Sequence, residues 1–168
     1  MTKLEKLTHI SLITVSIAAL FAIIDQRFQP RGRTSPPSES SFAGKKVDVE
    51  TPWRNSRMTV VVAMTTHCPY CIMSLPLYRR IGEIAVRDHS ISFLAVTPEA
   101  VDPMRDLLSQ NDVAVSGVIH SSLPKLGTTV TPSLFAVNSE GTIMRAFIGK
   151  LPEAKEAELF AMLKQQAP

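Results

Sequence analysis

The chain is poor in cysteine: two among 168 residues, Cys68 and Cys71. A disulfide-stapled framework needs several cysteines spread along the chain, and a cysteine-rich zinc site needs a second pair, so both are excluded. What remains is a local dithiol. Positive charge is also lacking where a nucleic-acid surface would need it. Residues 1–57 hold nine Lys/Arg against five Asp/Glu, whereas residues 58–168 hold nine against ten. The formal charge of +3 therefore belongs to the N-terminal part. The remainder has no cationic surplus for a phosphate backbone, and nucleic acid is not an expected partner. Apolar residues at 45% and charged residues at 20% are ordinary for a packed domain. The length suits one domain with a tail.

Long hydrophobic runs are absent from the chain but for one. Lys3 and Lys6 precede an apolar run over residues 7–24, interrupted only by Thr8, His9 and small hydroxyl residues. As a helix that run spans about 27 Å, close to the hydrocarbon thickness of a bilayer. A cleaved signal peptide needs a small-x-small site. Ser16-Ile17-Ala18 comes too early for one, and Leu20-Phe21-Ala22 has a bulky first residue. The expectation is one uncleaved transmembrane helix within an anchor over residues 1–29. Arg27, Arg31 and Arg33 follow the run as the lysines precede it, so flanking charge does not orient it. Residues 30–41, PRGRTSPPSESS, read as a flexible linker. A domain follows over residues 42–168.

Within that domain, TVVVAM at 59–64 is a continuous β-branched run, the pattern of a strand covered on both faces. A helix is predicted over 71–88, a strand over 91–96, a helix over 98–111 and a short strand over 113–119. Strands over 133–137 and 142–148 flank the turn Asn138-Ser139-Glu140-Gly141, and a helix over 152–164 closes the chain. Alternating strands and helices followed by a hairpin make an α/β domain with a mixed central sheet and helices on both faces.

The dithiol sits where the first strand runs through Thr65-Thr66-His67 into Cys68-Pro69-Tyr70-Cys71 and a helix. A cysteine at a helix N-terminus faces unpaired N–H groups and the positive end of the dipole, both of which favour a thiolate. The two-residue spacer lets the second sulfur reach the first, so a mixed disulfide can be resolved internally. Cys68 is the expected nucleophile and Cys71 the resolving thiol. The competing reading is a passive disulfide or two buried thiols. Met64 and Met73 flank the pair and raise a copper reading, although core packing explains methionines as well. Thr65 matches a peroxidase-type T-x-x-C, but the proline wanted four residues earlier is Val61. His9, His89 and His120 share no spacing with the pair.

Three further positions give the dithiol a context. Pro76 lies five residues after Cys71, Thr131-Pro132 directly precedes the hairpin, and Gly149 follows it. In order and spacing, residues 42–166 resemble the thioredoxin superfamily, with its helix-kinking proline, its cis-proline and its late glycine. The surplus over 98–123 and the N-terminal run resemble the TlpA-like, membrane-anchored thiol–disulfide oxidoreductases. The Pro69-Tyr70 dipeptide itself is similar to that of glutaredoxins.

The resemblance implies a thioredoxin-like fold and thiol–disulfide exchange on protein substrates through Cys68 and Cys71, without metal or organic cofactor. It implies that Thr131 and Pro132 form a backbone wall for an extended substrate, with Pro69 and Tyr70 beside it. It further implies a domain on the periplasmic side of a bacterial inner membrane, reducing cell-envelope disulfides and recharged by a membrane redox partner. An oxidase or isomerase is the second reading, and a redox-inert or copper-binding assembly factor the third. Two positions depart from the pattern. Val62 stands where reductases of this kind often place a buried carboxylate, and His67 replaces the usual tryptophan. A protonated His67 would modulate the couple by favouring the Cys68 thiolate and a more oxidising disulfide.

Overall fold

The computed structural model describes residues 38–51 and 53–165. The expected membrane anchor over 1–29 lies outside the described residues. Among these, no helix is long and apolar enough to cross a membrane. The last linker residues, Glu39–Ser41, already form a 3-10 turn, and Lys155 Nζ donates to the Glu39 carboxylate at 2.8 Å. Residues 39–41 of the expected linker thus pack on the domain, and residues 30–37 of it lie outside the described residues.

All six residues of β1, Met58–Ala63, are buried, as their β-branched run requires of a strand covered on both faces. The others are β2 (Ile91–Thr97), β3 (Gly117–His120), β4 (Ser133–Asn138) and β5 (Ile143–Ile148). Their order is β3-β2-β1-β4-β5. β1, β2 and β3 run parallel, β4 is antiparallel to β1, and β5 is antiparallel to β4. The sheet is mixed, as expected. In the hairpin turn, the Asn138 carboxamide oxygen accepts the Glu140 and Thr142 N–H groups at 3.0 and 2.9 Å. Gly141 adopts φ +78 there, which glycine does without a Cβ penalty. A Cβ at Gly141 would lie 3.0 Å from the Trp53 ring, which packs on this turn.

Where one helix was predicted over 71–88 there are two, α1 (Pro69–Met73) and α2 (Leu75–Arg87), meeting at Ser74. Pro76 has no N–H to continue the first helix and sits in the opening turn of the second, where none is needed. The next helix, α3 (Val101–Gln110), starts later than residue 98. Residues 98–100 instead turn out of β2, the Glu99 N–H donating to Thr97 Oγ1 at 3.2 Å. The last helix is α4 (Glu153–Gln165).

The arrangement of helices differs from the expectation of both faces. Buried residues of α2, α3 and α4 (Tyr78, Ile81, Met104, Leu108, Leu159, Leu163) join a single cluster with Val60, Val62, Phe93 and Leu134. The opposite face, Val61, Ala63, Phe135 and Val137, is covered by Phe42, Val47 and Leu126. Those come from the N-terminal segment and from the 3-10 turn Leu123–Leu126. Right-handed crossovers explain it: β1, β2 and β3 step one way across the sheet, so α2 and α3 fall on one face.

Candidate functional site

Strand register brings three loops to one edge. Ala63, the last residue of β1, pairs with Val96 of β2 and with Ser133, the first residue of β4. The cysteine loop, the turn after β2 and the Thr131-Pro132 loop therefore leave the sheet side by side. The Thr131–Pro132 bond is cis. Its loop is fixed from within: Ser133 Oγ donates to the Val130 carbonyl at 2.7 Å, and the Val130 N–H donates to Thr128 Oγ1 at 3.1 Å. Just past β5, the Gly149 N–H donates to the Pro132 carbonyl at 2.7 Å.

Cys68 caps α1. Its backbone is extended, and its sulfur accepts the Cys71 N–H at 3.3 Å. On the other side it lies 3.5 Å from the Thr131 carbonyl. This contact joins the dithiol to the cis-proline loop, 63 residues away in sequence. Both cysteines are free thiols. They differ in environment. Cys68 is partly exposed and Cys71 fully buried.

Burial alone would raise the Cys68 pKa. Hydrogen bonds involving the side chains of Cys71 and Thr131 and the Cys71 and Tyr70 amides outweigh it and leave the thiol below its ordinary value. The Thr131 carbonyl can only accept, so that single contact favours the thiol form; the donors prevail. Burial pushes Cys71 up to about 12, with its hydrogen bond to Cys68 acting in the same direction. The helix behind Cys68 is five residues long, so the thiolate is held by local N–H donors more than by a long helix dipole.

The His67 side chain engages Glu99 and Thr66. Its ring is 93% exposed, with Nδ1 at 3.7 Å from Glu99 Oε1 and 2.8 Å from Thr66 Oγ1. Glu99 Oε2 accepts the Thr66 N–H at 2.8 Å, and His120 Nδ1 lies 2.8 Å from the Glu99 carbonyl. Burial opposes ionisation of Glu99, but its hydrogen bonds to Thr66 and His67 prevail and lower its pKa. Neither Glu99 nor His120 was legible as a site residue, because no motif spacing links them to the dithiol. The pairing of Ala63 with Val96, which no local sequence pattern encodes, carries residues 98–100 to the loop after β1.

Tyr70 projects beside the sulfurs at 59% exposure, with Ile72 and Met73 also exposed. Met64 is buried while Met73 is exposed, so the two thioethers do not share one opening. Among the described residues no group of three or more His, Cys, Asp or Glu is placed to hold a metal ion. A surface cavity of about 610 Å³, lined by Lys46, Trp53, Arg54 and Glu140 among others, lies at the turn joining β4 to β5. That is the far end of the sheet, and no thiol reaches it.

No protein-family model matches the chain, and no curated protein matches it in sequence. Solved structures match it in fold. A thiol:disulfide interchange protein from Bacteroides sp. superposes with a TM-score of 0.55 at 13% identity, over 74% of this chain and 84% of that one. A thiol-disulfide isomerase from Corynebacterium glutamicum gives 0.54 at 17%, over 80% and 99%. A thioredoxin-family thiol:disulfide interchange protein from Chlorobium tepidum gives 0.53 at 17%, over 80% and 97%. With this sheet order, a dithiol at the first helix tip and a cis-proline loop against it, the chain is a thioredoxin-fold protein.

Proposed function

We propose that this protein is a thiol–disulfide oxidoreductase acting on disulfides of other proteins. The observation that carries the reading is the asymmetry of the dithiol: an accessible Cys68 with a lowered pKa, and a buried Cys71 raised to about 12. In the reducing direction the Cys68 thiolate attacks one sulfur of a substrate disulfide. That bond breaks, and its electron pair leaves on the other substrate sulfur. Cys71 gives its proton to that departing thiolate and attacks the Cys68 sulfur, releasing the second substrate thiolate, which takes a proton from water. Counting the proton that Cys68 has already released to solvent, the protein loses two electrons and two protons, and the substrate gains as many. No group beyond the two sulfurs is needed.

Thr131 and Pro132 are the wall along which an extended substrate pairs, with Pro69 and the exposed ring of Tyr70 beside it. The names of the similar structures, thiol:disulfide interchange proteins and a thiol-disulfide isomerase, favour this chemistry. For the finer assignment we adopt reduction of cell-envelope disulfides, by a domain anchored through residues 1–29 on the extracytoplasmic side of a bacterial inner membrane. A membrane electron carrier would recharge the dithiol. The test is the potential of the Cys68/Cys71 couple at equilibrium with glutathione. A value near thioredoxin's, about −270 mV, agrees with a reductant, and a value near about −120 mV would overturn the direction in favour of an oxidase.

A further inference from the structure

The exchange reaction needs the Cys68 sulfur in one place, 3.3 Å from the Cys71 N–H and 3.5 Å from the Thr131 carbonyl. On the helix side Cys68 is fixed as the cap of α1. On the strand side it hangs from a loop. Met64, just past β1, still belongs to the sheet edge, its N–H donating to the Val96 carbonyl at 3.0 Å. The next three residues, Thr65, Thr66 and His67, are half-buried or exposed, and none is part of either core cluster. Their turn closes through a long contact, the Cys68 N–H to the Thr65 carbonyl at 3.5 Å. Packing does little to hold such a segment, so polar contacts must.

One carboxylate meets that need. Glu99 Oε2 accepts the Thr66 N–H at 2.8 Å, and Oε1 lies 3.7 Å from His67 Nδ1. The acceptor comes from the turn after β2, 33 residues away in sequence, and its own backbone is tied on both sides. The Glu99 N–H donates to Oγ1 of fully buried Thr97 at 3.2 Å. His120 Nδ1, at the end of β3, lies 2.8 Å from the Glu99 carbonyl. Pro98 stiffens the step between Thr97 and Glu99. A side chain anchored on two strands thus grips the amide two residues ahead of the nucleophile. A carboxylate accepts an N–H more strongly than a neutral oxygen does, and its two oxygens meet Thr66 and His67 at once.

We propose that Glu99 is a positioning residue of the exchange reaction: through the Thr66 amide, its carboxylate holds the Thr65–Cys68 turn so that the Cys68 sulfur keeps its place between the Cys71 N–H and the Thr131 carbonyl. The inference rests on the exchange function argued above and adds a residue to its attacking step. Glu99 passes neither proton nor electron to the substrate. Position and charge predict opposite signs at Cys68. A negative charge near a thiolate disfavours it, so a role through charge alone makes the sulfur more reactive once that charge is removed. A role through position makes it less reactive once the reach is lost. The titratable groups facing Glu99 are His67 on the loop and His120 on β3, so whole pH profiles are compared rather than single rates.

The experiment places Glu99→Gln, Glu99→Asp and Glu99→Ala in the full-length chain. The first keeps the reach and loses the charge, the second keeps the charge and is one methylene short, and the third keeps neither. Reduced protein, well below its Tm, is treated with iodoacetamide, an uncharged reagent, across neutral and alkaline pH. Modification at Cys68 is followed by peptide mass spectrometry. Glu99→Gln should react as fast as the parent or faster. Glu99→Asp and Glu99→Ala should be about threefold to tenfold slower at neutrality, as expected for one weakened hydrogen bond to a charged sulfur, with midpoints moved to higher pH. If Glu99→Ala does not fold, the other two variants carry the same comparison. A bond that serves stability alone would lower the Tm of Glu99→Ala and leave all the Cys68 profiles superimposed, which overturns the proposal. So does a Glu99→Asp profile that matches the parent while Glu99→Gln is displaced, because charge is then the agent. Glu99→Gln as slow as Glu99→Ala overturns it too, since an acceptor at the right reach has failed to restore the sulfur. Each of these leaves the exchange reading intact. A parent whose Cys68 reacts at neutral pH no faster than an ordinary thiol removes Cys68 as the nucleophile, and this inference with it.

Discussion

Two sulfurs one helical turn apart acquire different chemistry from what surrounds each. Hydrogen bonds with Cys71 and with the Thr131 side chain, outweighing burial, hold Cys68 as a thiolate at lower pH than usual, while the core holds Cys71 as a thiol. Alkylation should report this directly. The Cys71→Ser protein is expected to react at neutral pH, and the Cys68→Ser protein to react slowly until the solution is strongly alkaline. Equal rates at neutrality would reverse the roles. A stability consequence follows from Cys71, with the sign fixed by proton linkage. Above the ordinary thiol pKa the unfolded chain has lost this proton and the folded chain has kept it. The stabilisation is therefore full below that pKa, and it drains away as pH rises toward about 12. Denaturant unfolding of the reduced protein should show this alkaline slope, and Cys71→Ser should flatten it; an unchanged slope in that variant counts against the assignment. The dithiol was legible in sequence because its parts are local. His67 was not, since a ring beside Cys68 in sequence can face either way, and here it faces Glu99.

At the scale of elements, the segment from Glu99 to β3 supports the site from two directions. Its first residues put the Glu99 carboxylate on the Thr66 N–H, and its later loop packs Ala114 against α2. At Gly82 a Cβ would lie 2.4 Å from the Ala114 carbonyl oxygen, nearer than atoms tolerate. Gly82→Ala is thus expected to destabilise by about 1–3 kcal/mol, even though alanine favours helices, because backbone must move. Thermal unfolding decides it, and a rise in Tm would show that α2 and this loop are not in contact. For Glu99 two substitutions separate the acceptor from its charge. Glu99→Ala leaves the Thr66 N–H unpaired, at about 1–3 kcal/mol, and should speed amide exchange at Thr66. Glu99→Gln keeps an acceptor oxygen and should do much less. Equal exchange rates in the two variants would mean that the carboxylate does not brace the loop. Strand and helix types were readable from apolar periodicity. The side of the sheet that each helix covers was not, because it depends on strand order, which no local pattern encodes.

For the molecule as a whole, the question is which proteins the dithiol meets. The nucleophile opens onto a face that carries exposed Tyr70, Ile72 and Met73, an apolar surround suited to a polypeptide rather than to a small polar disulfide. The cationic surplus lies in residues 1–57, with residues 58–168 close to neutral, so charge does not steer the domain toward phosphate. The proposed anchor confines the search to one side of a membrane. Trapping tests the chemistry and the topology together. In full-length Cys71→Ser the mixed disulfide on Cys68 has no resolving thiol and should accumulate on natural partners, whereas Cys68→Ser, lacking the attacking sulfur, should trap none. Partners released from the Cys71→Ser protein by reductant and identified by mass spectrometry should be cell-envelope proteins that contain disulfides. Equal recovery with both variants would mean that Cys68 is not the nucleophile. Recovery of cytoplasmic proteins alone would leave the chemistry standing and place the domain on the other side of the membrane.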